Sequence, residues 1–222
     1  MPSPVFPNEA ATLLLPGPVG ALETAIDPPE AGATPLPLTA IVCHPLSTDG
    51  GSLHNKVVTM AARALRELGA TTVRFNFRSV GASQGAFDRG VGELDDLRAV
   101  VAWVRERRPH DALWLAGFSF GSYVTLKGAV ELQADALISI APPAATRGWD
   151  FGAIEPPHCP WLVLMGEADE IVPPQAVFDW VASLPRPPVL VRFPDTGHFF
   201  HRKLIDLRAA IRDNVRGWLP AA

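Results

Sequence analysis

From Leu38 onward the chain alternates short strand-like runs with stretches of helical period, and few folds accept elements in that order. The runs at 38–43, 71–77, 112–116, 136–141, 161–165 and 189–193 are rich in apolar, β-branched and aromatic residues and are of strand length. Between them, 55–68 places Val57, Ala61, Ala64, Leu65 and Leu68 on one helical face and meets Gly69, a natural terminator. A second helix over 93–107 carries Leu94, Leu97, Val101 and Val104. Its Asp95 and Asp96 fall in the first turn and its arginines in or just past the last, which suits the helix dipole and makes both aspartates structural. Helical patterns also follow Ser119, cover 174–184, and close the chain with Leu204, Leu207, Ile211 and Val215. Buried strands joined by helices predict a mostly parallel, twisted sheet with helices on both faces. In such sheets the chemistry gathers beyond the strand C-termini.

Ahead of this alternation, Leu13-Leu14-Leu15 and the run 21–26 flank Pro16-Gly17-Pro18-Val19-Gly20, the pattern of an antiparallel hairpin. Two hairpin strands and six later ones make a sheet of about eight, and 222 residues suit a single α/β domain over 1–222. Only 19% of residues are charged against 48% hydrophobic, which argues for a compact globule over a disordered chain. The net charge of -4 comes with no basic stripe for nucleic acid and no Lys/Arg cluster for an anionic membrane. Cys43 and Cys159 lie far apart without metal or disulfide-framework spacing and are expected as reduced thiols. The run Met1-Pro2-Ser3-Pro4-Val5-Phe6-Pro7 has no basic start followed by an apolar stretch. Neither a secretion signal nor a membrane span is expected, and the expected location is cytoplasmic.

One strand-to-helix junction carries chemistry. Trp114-Leu115-Ala116-Gly117-Phe118-Ser119-Phe120-Gly121-Ser122-Tyr123 runs from an apolar strand through Gly-x-Ser-x-Gly into an apolar helical pattern. That is the layout of a nucleophile elbow, whose strained turn demands small neighbours such as Gly117, Gly121 and Ser122. Spacing alone is weak, because Gly81-Ala82-Ser83-Gln84-Gly85 repeats it. Ser83, however, precedes a glycine-rich stretch without helical period, so it belongs to a loop and Ser119 is the candidate nucleophile.

A serine hydroxyl needs a base within hydrogen-bond reach, and the base needs an acid to orient it. Later strand ends supply both. Gly166-Glu167-Ala168-Asp169-Glu170-Ile171-Val172-Pro173 follows one strand and Pro194-Asp195-Thr196-Gly197-His198-Phe199-Phe200-His201 the next. Residues alone leave Asp169, Glu167, Glu170 and Asp195 as acids and His198 and His201 as bases.

Over nearly the whole chain this order of serine, acid and histidine resembles the α/β-hydrolase superfamily. Gly166-x-x-Asp169-x-x-Val172-Pro173 and Thr196-Gly197-His198 are similar to its acid and base loops. His44-Pro45-Leu46-Ser47-Thr48-Asp49-Gly50-Gly51 and Arg74-Phe75-Asn76-Phe77-Arg78-Ser79-Val80-Gly81 resemble a group of small bacterial hydrolases similar to dienelactone hydrolases. Dienelactone hydrolases proper use a cysteine, so their substrate does not carry over to a chain with Ser119. The resemblance implies the α/β-hydrolase fold, with Ser119 as nucleophile, His198 as general base and acid, and Asp169 as the residue that fixes the imidazole. It also implies an oxyanion hole from the backbone N–H of Phe120 and of a residue in the loop starting at His44. Pro45 has no N–H, which leaves Leu46, with His44 pinning the loop.

No metal is expected, since His198-x-x-His201 lacks a carboxylate at ligand spacing. Gly90-Val91-Gly92 lacks the third glycine of a dinucleotide fingerprint, and no cofactor is expected. The segment 142–160 is too short for a cap domain. An open, partly apolar cleft follows, lined by Trp149, Phe151, Phe87 and Phe199 and suited to small or short-chain esters or thioesters. The competing readings are a non-catalytic binding protein on the same scaffold and a peptidase or amidase of that fold.

Overall fold

The computed structural model describes residues 4–144, 146 and 148–221. The hairpin forms as expected: β1 (Ala11–Gly17) runs antiparallel to β2 (Gly20–Asp27), with Gly17 opposite Gly20 across a two-residue turn. Six more strands join them in one sheet: β3 (Leu38–Cys43), β4 (Thr71–Phe75), β5 (Ala112–Phe118), β6 (Ala136–Ile140), β7 (Trp161–Gly166) and β8 (Val189–Phe193). The spatial order is β1-β2-β4-β3-β5-β6-β7-β8. β2 meets β4 antiparallel, and every pair from β4 to β8 is parallel.

The helices are α1 (Lys56–Arg66), α2 (Gly92–Arg107), α3 (Phe120–Ala129), α4 (Pro174–Ser183) and α5 (Leu204–Val215). Crossovers between parallel strands are right-handed, so the direction of travel along the sheet decides the face. The chain moves one way from β3 to β4 and the other way from β4 over β3 to β5, then keeps that direction to β8. Accordingly α1 packs with α5 on one face while α2 packs with α3 on the other. The direction reverses beside β3 and β5, so the loops leaving those strands diverge and open a crevice.

Local chemistry sets the element ends. The Asn55 side chain accepts from the Val57 N–H at 2.9 Å and caps α1. At the other end Gly69 adopts φ 98° and the Ala70 N–H reaches back to the Leu65 carbonyl, so Leu68 lies in the closing turn rather than in the helix. β4 stops at Phe75, two residues short of the expected strand. Past it the Asn76 N–H still donates to the Glu23 carbonyl at 2.8 Å, while its side chain accepts from the Leu53 N–H and donates to the Glu23 carboxylate. β8 also differs from a strand buried on both faces: only Phe193 is buried, since β8 is an edge that pairs with β7 alone.

One apolar cluster fills both faces of the sheet, and β3, β6 and β7 are buried throughout. Between β6 and β7 no helix or strand forms among the described residues, so nothing there builds a lid. No helix among them is long and apolar enough to cross a membrane.

Candidate active site

Ser119 sits alone between the end of β5 and the start of α3, with φ 52° and ψ −119°. Side chains rarely adopt that conformation, so neighbouring contacts have to hold it. The Ser119 N–H donates to the Ile140 carbonyl at 2.8 Å. Its own carbonyl accepts from the Ser122 hydroxyl at 2.6 Å and the Ser122 N–H at 2.9 Å. The glycines are required by space. A Cβ on Gly117 would stand 2.5 Å from the Ser122 nitrogen, and one on Gly121 would stand 2.6 Å from the His44 carbonyl oxygen. α3 therefore starts directly against the exit of β3.

The second Gly-x-Ser-x-Gly has a different task. Ser83 is buried, donates to the Asn76 carbonyl at 2.6 Å and accepts from the Glu23 N–H at 2.9 Å, which ties its loop to β2. That loop is anchored further by Arg78, whose guanidinium and backbone N–H both donate to the fully buried Asp96. The bond from Asp96 raises the guanidinium pKa above its already high ordinary value. Asp96 is structural, as expected from its place in α2, but its partner is a loop arginine.

Beyond β7 and β8 the acid and base loops come together. Asp169 is buried; one of its oxygens accepts from the N–H groups of Ile171 at 2.8 Å and Val172 at 2.7 Å. The other lies 2.7 Å from Nδ1 of His198. The imidazole is nearly fully buried, flanked by the rings of Phe118 at 5.0 Å and Phe199 at 5.1 Å. Of the other acids, Glu167 pairs with Arg192 and Asp195 is exposed in a turn. Glu170 accepts from the backbone N–H of His198 at 3.0 Å, a contact with the base loop that the sequence did not reveal. His201 is exposed just ahead of α5.

Ser119 and His198 line one open cleft of about 70 Å³, together with Leu46, Phe120, Trp149 and Phe199. No internal acceptor engages the N–H of Phe120 or Leu46 among the described residues. His44 explains how Leu46 is held. Its ring is wholly buried, Nδ1 lies 2.6 Å from the Pro45 carbonyl, and Nε2 accepts from the Phe77 N–H at 3.0 Å. Those partners make Nδ1 the protonated nitrogen, and burial drives the pKa down from the ordinary 6.5 to about 4.

Two of the expected aromatic residues lie elsewhere. Phe151 is buried between Tyr123 and Trp180, and Phe87 packs on the ring of Phe120, so neither lines the cleft. Both are taken up by core packing behind the wall. In their place Pro143, Ile171, Asp49 and Asn55 contribute to the lining. Asp49 and Asn55 follow the expected oxyanion loop closely enough to have been considered from sequence; Pro143 and Ile171 carried no distinguishing signal. Burial raises the thiol pKa of both free cysteines.

An open parallel sheet that reverses direction beside β3 and presents a strained serine at the exit of β5 is the α/β-hydrolase architecture. No family model matches the chain. XC6422 from Xanthomonas campestris, described as an α/β serine hydrolase without lid, is 65% identical with a TM-score of 0.96 over 99% of this chain and 100% of that one. An α-β serine hydrolase homologue from Coxiella burnetii is 44% identical with a TM-score of 0.88, covering 96% of this chain and 100% of its own. The uncharacterized protein RP471 of Rickettsia prowazekii is 32% identical over 205 residues, 89% of this chain and 85% of that protein. The chain belongs to the α/β serine hydrolases without a lid.

Proposed function

We propose that the protein cleaves small or short-chain carboxylic esters, or thioesters, through an acyl-enzyme on Ser119. The observation that carries this reading is the 2.7 Å contact of Asp169 with His198 at the cleft that also holds Ser119. With Nδ1–H committed to Asp169, Nε2 is left to accept a proton. Ser119 Oγ adds to the ester carbonyl carbon as its proton passes to His198. The oxyanion accepts from the Phe120 and Leu46 N–H groups. The bond to the alcohol oxygen then breaks, and His198 protonates the departing alcohol. Water repeats the sequence on the acyl-enzyme: it loses a proton to His198, adds to the acyl carbon, and releases the carboxylic acid as Ser119 Oγ regains that proton. A lidless cleft of this size suits compact substrates. Trp149 and Phe199 supply its aromatic wall.

Two measurements test the reading. A fluorophosphonate probe should leave a covalent adduct that maps to Ser119. Ser119→Ala should lower turnover of short nitrophenyl esters by about six orders of magnitude, the loss expected of a nucleophile in an intact triad. Absence of an adduct in folded protein would favour a non-catalytic binding protein, and full activity in the variant would move the chemistry elsewhere.

A further inference from the structure

The cleft is chemically two-sided, and its sides come from different parts of the sheet. β3 adjoins β5 on one side, while β6, β7 and β8 follow on the other. From the β3 side come Asp49, Gly50, Gly51 and Asn55, all in the segment joining β3 to α1. From the other come Pro143, Trp149, Ile171 and Phe199, carried by the loops beyond β6, β7 and β8. His198, which protonates the departing alcohol, stands beyond β8. With the alcohol set beside His198 on the apolar side, the β3 side, which also carries the Leu46 N–H, is the one left for the acyl group.

On that side Asn55 has a donor to spare. Its Oδ1 accepts from the Val57 N–H, which fixes the orientation of the amide and turns Nδ2 away from α1. No partner engages Nδ2 among the described residues. Gly50 and Gly51 add no side chains to this wall, and a Cβ on Gly51 would collide with the Pro45 carbonyl, so the loop stays thin there. Capping α1 requires only the acceptor, which Asp or Ser would also provide. The amide donor is surplus to that role, and Asn55 lines the reaction cleft.

We propose that the segment joining β3 to α1 is an acyl subsite, in which Asn55 Nδ2 selects esters whose acyl group carries a hydrogen-bond acceptor close to the carbonyl: an ether, hydroxyl or keto oxygen. This rests on the serine-esterase reading above. The test compares 4-nitrophenyl butyrate with 4-nitrophenyl methoxyacetate, which share a leaving group and acyl shape and differ in one acceptor oxygen. The methoxyacetate-to-butyrate ratio of kcat/KM is measured in the wild type, in Asn55→Asp and in Asn55→Ser. Dividing the wild-type ratio by each variant's ratio cancels the intrinsic reactivity of the esters. Both variants keep the cap acceptor, and Asn55→Ser does so without a new charge.

The wild-type ratio should exceed that of both variants by about 3 to 10-fold, the worth of one hydrogen bond. Thermal midpoints close to wild type confirm that α1 stays capped. Ratios that agree within about 2-fold, with both esters turned over, overturn the subsite and leave the esterase reading standing. If the wild type cleaves neither ester and takes no fluorophosphonate adduct, the esterase reading fails and the subsite falls with it.

Discussion

Lowering the pH should weaken this protein through His44, a residue that takes no part in the proposed chemistry. Its ring is fully buried, its Nε2 already accepts from the Phe77 N–H, and the Phe77 ring lies 4.7 Å away edge-on. Burial of a charge on the ring lowers the folded pKa to about 4 from 6.5, and a proton on Nε2 would also stand head to head with the Phe77 N–H. The unfolded chain takes up a proton as the pH falls through 6.5, whereas the folded protein does not until about 4. The contribution is complete above pH 6.5, declines as the pH falls toward 4 and is gone below it. At 1.36 kcal/mol per pH unit this amounts to roughly 3 kcal/mol, a large share of a typical folding free energy. Urea unfolding at pH 7, 6, 5 and 4 should therefore be compared between wild type and His44→Gln, whose amide can serve both backbone partners without titrating. The stability difference between the two should shift by roughly 3 kcal/mol across that range, against the wild type in acid. Parallel curves would refute the buried neutral imidazole.

Other substitutions separate chemistry from scaffold. Asp169→Asn should keep the fold and lower kcat by about four orders of magnitude, because the amide no longer enforces the required imidazole tautomer; ester turnover under saturating substrate reads this. Ser83→Ala should cost roughly 1–3 kcal/mol in a denaturant titration by leaving the Glu23 N–H and the Asn76 carbonyl short of partners. Fluorophosphonate labelling of Ser119 should continue in it, and loss of labelling in the folded variant would count against a purely structural Ser83. Asp96→Ala strands the Arg78 guanidinium in the interior and should destabilise by about 3–5 kcal/mol; a midpoint near wild type would show that the pair is more solvated than its burial implies.

Hydrophobic pattern and a few special residues went a long way here. Six strand-like runs alternating with helical periods, preceded by a hairpin, lead to the sheet because parallel strands buried on both faces have little freedom in composition. The steric demand at Ser119 was equally legible: Gly117 and Gly121 sit where backbone atoms from α3 and from the exit of β3 leave no room for a side chain. Contacts across long sequence distances were not legible. Phe87 and Phe151 looked as available to a ligand as Trp149 and Phe199, since an aromatic residue in a loop packs or lines a cleft according to what stands opposite it. Asp96 carried a local signal, an expected place in the first turn of the helix, but α2 starts at Gly92 and sets Asp96 just past that turn, where it bonds Arg78.

The sequence by itself therefore determined the order and kind of elements, the location of the strained turn, and the short set of residues able to serve it, because those depend on periodicity, backbone sterics and side-chain chemistry. Only the tertiary structure chose within that set. It brought Asp169 to His198, left Glu170 on the backbone of the base loop, and placed Asn55 and Phe199 on opposite sides of the cleft. Those choices depend on where strands 3, 5, 7 and 8 end in space, and strand order across a sheet is a property of crossovers that no local pattern encodes.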